Sequence, residues 1–216
     1  MLMPTEFQSE TEMLEAAKNG DQTALAALFN LHRSHLERMV RLRLDRRLHR
    51  RVDPGDIVQE AYLGIQRKFP RYAAESEIPA LIWLRLEVGQ TLIDVHRRHL
   101  GAKMRDADQE ISLHLGSYPS VASKTLAAQL LGRMSTASKA AIREEVKVKV
   151  QDALNEMDAH DREVLVLRHF EELSNSEVAA TLQISSTAAC NRYVRAIKRL
   201  KLVFDGMPGG IEGIWS

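Results

Sequence analysis

Apolar residues recur three and four positions apart along most of the chain, which is the spacing of one buried face of an α-helix. Leu25, Leu28, Phe29 and Leu36 follow this spacing, and Asp21 precedes them as a helix N-cap. Aromatic residues make up only 5% of the sequence, and long stretches lack Gly and Pro. These features predict an all-α protein.

Turn and breaker residues divide the first half of the chain into further helices. The turn VDPGD at 52–56 precedes an amphipathic helix that should end at Phe69, because Pro70 follows it. Residues 71–78 are predicted to form a loop, and Pro79 lies in the first turn of the next helix. Together these helices predict one compact domain at 10–102.

The second half of the chain predicts a linker and another helical domain. Gly, Ser and acidic residues are scattered over 103–145, so this stretch is interpreted as a linker with a helical insert. Residues 146–204 should form helices again, with Asp158 as a cap, and 205–216 should be a flexible tail. The predicted fold is therefore all-α, with two small helical domains joined by a linker.

Composition excludes several classes of protein. The single Cys190 allows no internal disulfide and favours a reducing compartment. No apolar run approaches the roughly 20 residues that span a bilayer, and residues 1–10 lack the pattern of a signal peptide. We therefore expect a cytoplasmic protein without membrane insertion.

Charge is segregated along the chain, although the formal net charge is only +1. Basic residues cluster at 38–51 and 192–201, and acidic residues at 6–15 and 155–177. Such segregation lets one face bind a polyanion. The arginine-rich run 38–51 has two open interpretations: a solvated helix face, which its buried-spacing leucines favour, or a contact with duplex DNA.

Residues 173–201 predict two short helices joined by a tight corner. Ser174 and Glu177 have capping-box spacing, and Ser185 can cap the second helix. The second helix has an apolar stripe that should be buried, formed by Ala189, Tyr193, Ala196, Ile197 and Leu200. Its other face carries Thr187, Cys190, Asn191, Arg192, Val194, Arg195, Lys198 and Arg199.

This arrangement is typical of a helix-turn-helix that reads the major groove. Asn191 could pair with an adenine edge, whereas Arg192, Arg195 and Lys198 could bind phosphates or guanine. An amphipathic hairpin with a solvated basic face remains the alternative.

Two separate segments resemble bacterial RNA polymerase sigma factors of the sigma-70 family. The stretch from Leu154 to Leu200 resembles region 4, which reads the promoter −35 element. The stretches DPGDIVQEAYLGIQRKF and ALIWLRLEVGQTLIDVHRR resemble region 2. Regions 1.1 and 3 have no recognisable counterpart, so the chain resembles the extracytoplasmic-function (ECF) type.

The resemblance implies an alternative sigma factor that binds core RNA polymerase and directs promoter recognition and transcription initiation. It implies no enzyme activity, no cofactor and no metal. The implied partners are promoter DNA, the clamp helices of the largest polymerase subunit, the flap region and an anti-sigma factor.

The same resemblance assigns roles to particular residues. Asp56, Gln59 and Glu60 would dock on the polymerase clamp helices. The loop 71–78 would capture a flipped base of the −10 element. Trp83 is interpreted as a packing residue because its neighbours are apolar. The implied −10 contacts are Arg71, Arg85, Gln90, Asp94, Arg97 and Arg98, and the implied −35 contacts are Thr187, Cys190, Asn191, Arg192, Val194, Arg195 and Lys198.

Three positions depart from the family pattern. Cys190 replaces a basic residue, Gln183 replaces the frequent Gly of the corner, and Gln90 replaces a common Asn. A residue other than Gly adopts a positive φ only at some cost, so Gln183 puts the geometry of the corner in question.

Other functions are compatible with parts of the sequence. A free-standing helix-turn-helix regulator would leave 52–98 without a role, and a helical module that only sequesters a polymerase subunit would not need its basic face. The pairs His32/His35 and His96/His99 have helical spacing that could seat a metal, but no HExxH-type motif accompanies them. Exposed histidines are the simpler interpretation.

Overall fold

The structure, a computed structural model, describes residues 7–100, 119–132 and 140–205. It divides into two compact units, Met1–Pro119 and Ser120–Ser216. All regular secondary structure in the described ranges is helical, which confirms the predicted all-α class. The predicted tail 205–216, apart from Asp205, lies outside the described residues.

The described part of the first unit contains four helices, and capping side chains fix the starts of the first three. Asp21 accepts hydrogen bonds from the Thr23 and Ala24 amides at 2.8 and 3.2 Å, as its sequence position predicts. Ser9 and Asp53 cap the helices that follow them in the same way. The helices are α1 (Glu10–Lys18), α2 (Gln22–Arg43), α3 (Pro54–Glu75) and α4 (Ala80–Leu100).

Aromatic packing holds the end of α3 against the start of α4. The Trp83 ring is 8% exposed, stacks on Tyr72 at 4.3 Å between centroids, and meets the edge of Phe69. The Tyr72 hydroxyl donates to the Ile78 carbonyl at 2.7 Å. These contacts confirm Trp83 as a packing residue.

The predicted end of α3 at Phe69 is wrong. The helix continues through Pro70 to Glu75, so most of 71–78 is helical and the connection to α4 is only 76–79. An internal proline costs about 3 kcal/mol or more, because its ring crowds the preceding turn and one backbone hydrogen bond is lost. Pro70 is exposed, whereas Phe69 and Tyr72 are buried on one face. Burial of these two rings offsets the cost, since each contributes on the order of 2 kcal/mol.

The second unit contains the remaining helices. A helix lies within the predicted linker insert and packs through buried Leu126 and Leu130, and Arg162 donates to Ser123 at its start. A π-helical stretch, Val166–Phe170, follows the third helix of the described part of this unit. The helices are α5 (Ser123–Gly132), α6 (Ala140–Asn155), α7 (Ala159–Leu165), α8 (Asn175–Leu182) and α9 (Ser186–Asp205).

The predicted linker 103–145 falls only partly within the described residues. Residues 101–118 and 133–139 lie outside the described residues. Helix α6 begins at Ala140, six residues before the predicted domain start at 146. Because α5 packs against α6, we assign 123–132 to the second unit instead of to the linker.

Candidate functional site

One exposed strip runs along the N-terminal half of α3. Asp56, Gln59 and Glu60 are all exposed on consecutive turns, with the buried Val58 facing the opposite side. Leu63 extends this strip by one turn and is 61% exposed. Its position four residues after Gln59 is the signal that could have revealed it. We call these four exposed residues the α3 surface.

The α3 surface adjoins the C-terminal half of α4. Arg98 Nη2 donates to Glu60 Oε1 at 2.6 Å, so a predicted polymerase contact and a predicted −10 contact are neighbours. Gln90, Asp94 and Arg97 are also exposed, and Asp94 accepts from Gln90 at 3.4 Å. Four of the six predicted −10 residues therefore share this end of α4.

The remaining two −10 predictions fit less well. Arg85 is wrong as a DNA contact because it is fully buried, at 0% exposure. Its spacing from Leu81, Val88 and Leu92 places it on the apolar face of α4, and the sequence periodicity could have indicated this. Arg71 is exposed but lies in the last turns of α3, not in a loop, and pairs with Glu75 at 2.9 Å.

The corner between α8 and α9 is built as predicted. Ser174 and Glu177 form a complete capping box, and the Ser185 hydroxyl accepts from the Ala188 amide at 3.1 Å. Gln183 adopts φ 54° and ψ 41°, the left-handed conformation that Gly would adopt more easily. The Asn175 side chain also donates to the Ser186 carbonyl at 2.8 Å, a link between the two helices that the sequence analysis missed.

Helix α9 buries one face and exposes the other. Ala189, Ala196 and Leu200 are fully buried, whereas Tyr193 and Ile197 are only partly so. Most of the predicted −35 residues lie on the exposed face, namely Thr187, Cys190, Asn191, Val194, Arg195 and Lys198.

Two arginines of α9 are held by a carboxylate of α7. Asp161 is 10% exposed at its side chain and accepts from Arg192 Nη1 and from Arg195 Nε and Nη2, each at 2.9 Å. Asp158, the cap of α7, accepts from Arg192 as well, at 3.1 Å. The hydrogen bonds from Arg195, with those from Arg192, hold the pKa of Asp161 below its usual value, although burial opposes this. Arg192 is consequently half-buried, and sequence reasoning had not identified Asp161.

Comparison with known proteins supports the resemblance in both halves of the chain. Residues 147–200 match the family model described as Sigma-70, region 4. The RNA polymerase sigma-F factor of Bacillus subtilis is 22% identical, over 92% of this chain and 92% of its own length. That of Priestia megaterium is also 22% identical, over 88% of this chain and 90% of its own length.

Residues 147–200 therefore match sigma-70 region 4, and the chain is similar to sigma factors over most of its length. The protein is an alternative sigma factor that acts in transcription initiation with RNA polymerase and promoter DNA, as predicted. A solved structure, that of CnrH in complex with the cytosolic domain of CnrY, has the same fold. It matches with a TM-score of 0.51 and 20% identity, over 92% of this chain and 99% of that chain.

Two histidines of this sigma factor are buried, so the prediction of exposed histidines is wrong for them. His32 is 6% exposed and contacts Glu10 at 3.2 Å, and His96 is 4% exposed. His96 Nε2 accepts from the Asp45 amide at 3.1 Å, and burial lowers the pKa of His96. Within the described ranges, no group of three or more His, Cys, Asp or Glu residues could hold a metal, and no helix is long and apolar enough to cross a membrane.

Proposed function

We propose that this sigma factor is of the ECF type, and that its first unit carries region 2 and its second unit carries region 4. Region 2 would occupy 10–102 and region 4 would occupy 146–204, with α5 packed on the latter. We further propose that it has no catalytic activity and no cofactor. The observation that carries the proposal is that both units present exposed polar helix surfaces where the family resemblance expects them, on α3 and α4 in the first unit and on α9 in the second.

The α3 surface is proposed to bind the clamp helices of the largest polymerase subunit. Its carboxylates and the Gln59 amide can accept hydrogen bonds from a basic partner helix. Leu63 supports this role because an exposed apolar side chain among acceptors is typical of an interface centre. Glu60 is already bonded to Arg98, which shows that it can hold a guanidinium.

The proposed −10 surface is the exposed side of α4 together with the connection 76–79. Gln90, Asp94, Arg97 and Arg98 are accessible there, whereas Arg85 is excluded by its burial. A flipped base costs a few kcal/mol to unstack, so contacts on this surface must recover that cost.

The proposed −35 surface is the exposed side of α9, with Asn191 as the residue that reads a base edge and Lys198 and Arg195 at phosphates. The second unit would also contact the polymerase flap region. CnrH is bound to the cytosolic domain of CnrY; we include a protein partner of this kind, an anti-sigma factor, in the proposal.

Run-off transcription with core polymerase, with and without this protein, tests the proposed function. Transcripts from specific genomic fragments should appear only when both are present. Binding to promoter DNA without polymerase would favour a free-standing regulator, and binding to polymerase without transcripts would favour a sequestering module.

Replacing Asp56→Lys with Glu60→Lys should abolish holoenzyme formation, because two acceptors become cations. The fold should survive, since an exposed ion pair such as Glu60 with Arg98 contributes only about 0–1 kcal/mol. Glu15→Lys with Asp152→Lys, two exposed positions on other helices, is the matched control. Unchanged co-purification of the first variant with core polymerase would contradict the docking proposal.

A further inference from the structure

The arginine-rich segment after α2 has no role in the proposed function. Residues 45–51, which we call the arginine turn, contain four arginines and one carboxylate. The carboxylate of Asp45 is taken by Arg47, which donates to both of its oxygens at 2.9 Å. Arg46, Arg50 and Arg51 are exposed, and none has an ion pair with a residue that the structure describes. The turn thus presents an uncompensated positive charge.

The arginine turn has a defined backbone. Leu48 is 2% exposed and anchors it in the core of the first unit. Its amide donates to the Asp45 carbonyl at 2.9 Å, and the Arg51 amide donates to the Leu48 carbonyl at 2.8 Å. His49 Nε2 lies 3.0 Å from the Leu44 carbonyl oxygen. The arginines therefore project from a fixed loop.

The arginine turn is joined to α4, which carries the proposed −10 surface. The Asp45 amide donates to His96 Nε2 at 3.1 Å. Arg46 follows Asp45, and Arg97 follows His96. The Cα atom of each arginine is therefore about 3.8 Å from that of a residue in the Asp45–His96 hydrogen bond. The arginine turn is therefore a direct neighbour of the C-terminal half of α4.

The chemistry of the turn favours a phosphate backbone over an acidic protein. Centres of protein interfaces are enriched in apolar and aromatic side chains. Within the described residues 45–51, the only large apolar side chain is Leu48, and it is buried. Arginines without an apolar centre are typical of sequence-independent contacts with phosphates.

We propose that the arginine turn binds backbone phosphates of the promoter DNA, beside the segment held by α4. This role rests on the proposed function, because it assumes that α4 faces promoter DNA in the holoenzyme. It adds a sequence-independent contact that would hold the DNA next to the segment being melted.

The test compares holoenzymes made with the full chain. Arg46→Ala with Arg50→Ala should lower the dependence of promoter affinity on salt, because each lost phosphate contact reduces the slope of log K against log salt by about 0.9. Two contacts correspond to roughly a tenfold smaller loss of affinity between about 50 and 200 mM salt. Lys18→Ala with Arg33→Ala removes the same charge elsewhere in the first unit and should leave the slope unchanged.

Each outcome is decisive. Arg46→Lys with Arg50→Lys should retain the wild-type slope, which separates loss of charge from loss of structure. A wild-type slope in the alanine variant would overturn the inference and leave the proposed function standing. A lower affinity for core polymerase with an unchanged salt slope would assign the turn to the polymerase and overturn it too. Failure of the wild-type holoenzyme to bind promoter DNA would refute the proposed function itself.

Discussion

The contact of Asp161 with two α9 arginines makes Asp161→Ala the sharpest test of how the second unit is held together. Asp161 accepts three hydrogen bonds at 2.9 Å and is 10% exposed at its side chain. Its removal leaves Arg192, which is 27% exposed, with only the exposed Asp158 as an acceptor. The variant should therefore destabilise the second unit, release Arg195 from α7 and weaken the hold on Arg192.

The magnitude follows from the burial of each bond. A hydrogen bond to a charged group contributes about 1.5–3 kcal/mol, which applies to the bond from Arg192. Arg195 is 59% exposed, so solvent screening makes its share small beside that of Arg192. The expected loss is about 2–3 kcal/mol in the free energy of unfolding, which lowers the Tm of a domain of this size by about 10 °C or more.

Thermal and urea unfolding of the full chain at neutral pH measure this loss. Glu156→Ala is the matched control, because Glu156, which directly follows α6, also pairs with an arginine of α9, Arg199, but both side chains are exposed, at 70% and 43%. That variant should lose less than about 0.5 kcal/mol. Since the pKa of Asp161 is lowered, its contribution is present above about pH 4, the unfolded value, and is lost as the pH falls through the folded value. Equal losses in the two variants would refute the reasoning.

Three further predictions concern single side chains. His96→Gln should keep an acceptor for the Asp45 amide. Because burial lowers the pKa of His96, the unfolded chain binds a proton first as the pH falls, so the wild type should lose stability below about pH 6.5 and the variant should not. Identical curves of stability against pH for the two proteins would exclude this prediction. Gln183→Gly should stabilise the second unit by roughly 0.5–1 kcal/mol, because Gly adopts the observed positive φ without strain, and a lower Tm would contradict this. Asn191→Ala should change which −35 sequences bind, whereas Arg195→Ala should weaken binding to all of them and reduce its salt dependence, as measured by competition with variant promoters; equal loss on every sequence for both would contradict that division.

Local signals in the sequence predicted the caps and the class of fold. Asp21, Ser174 and Ser185 each satisfy amide groups within three residues, so their roles depend on no distant contact. The same locality explains the error at Pro70. A proline predicts a break from its own geometry, but the burial of neighbouring rings against another helix decides whether the break occurs.

The functional residues were harder to predict where long-range contacts decide them. Arg85 was assigned to DNA from its residue type, although its helical position places it in the core. Arg192 was assigned to the exposed face of α9, but Asp161, 31 residues earlier in the chain, draws it against α7. A sequence shows which face of a helix is apolar. The contacts of residues at the border of that face, such as Arg192, depend on how the helices pack.

Counting arginines therefore overestimates the charge that this sigma factor can offer to DNA. A guanidinium already neutralised by a carboxylate, such as Arg98 with Glu60 or Arg195 with Asp161, attracts a phosphate less strongly and releases fewer counterions when it binds one. It is also held in one orientation, so it loses less side-chain entropy on binding. An arginine without a carboxylate partner among the described residues, such as Arg46, releases more counterions but loses more side-chain entropy when it binds a phosphate. Loss of a paired arginine such as Arg195 should therefore reduce the salt dependence of promoter binding by less than loss of Arg46, which has no ion pair within the described residues.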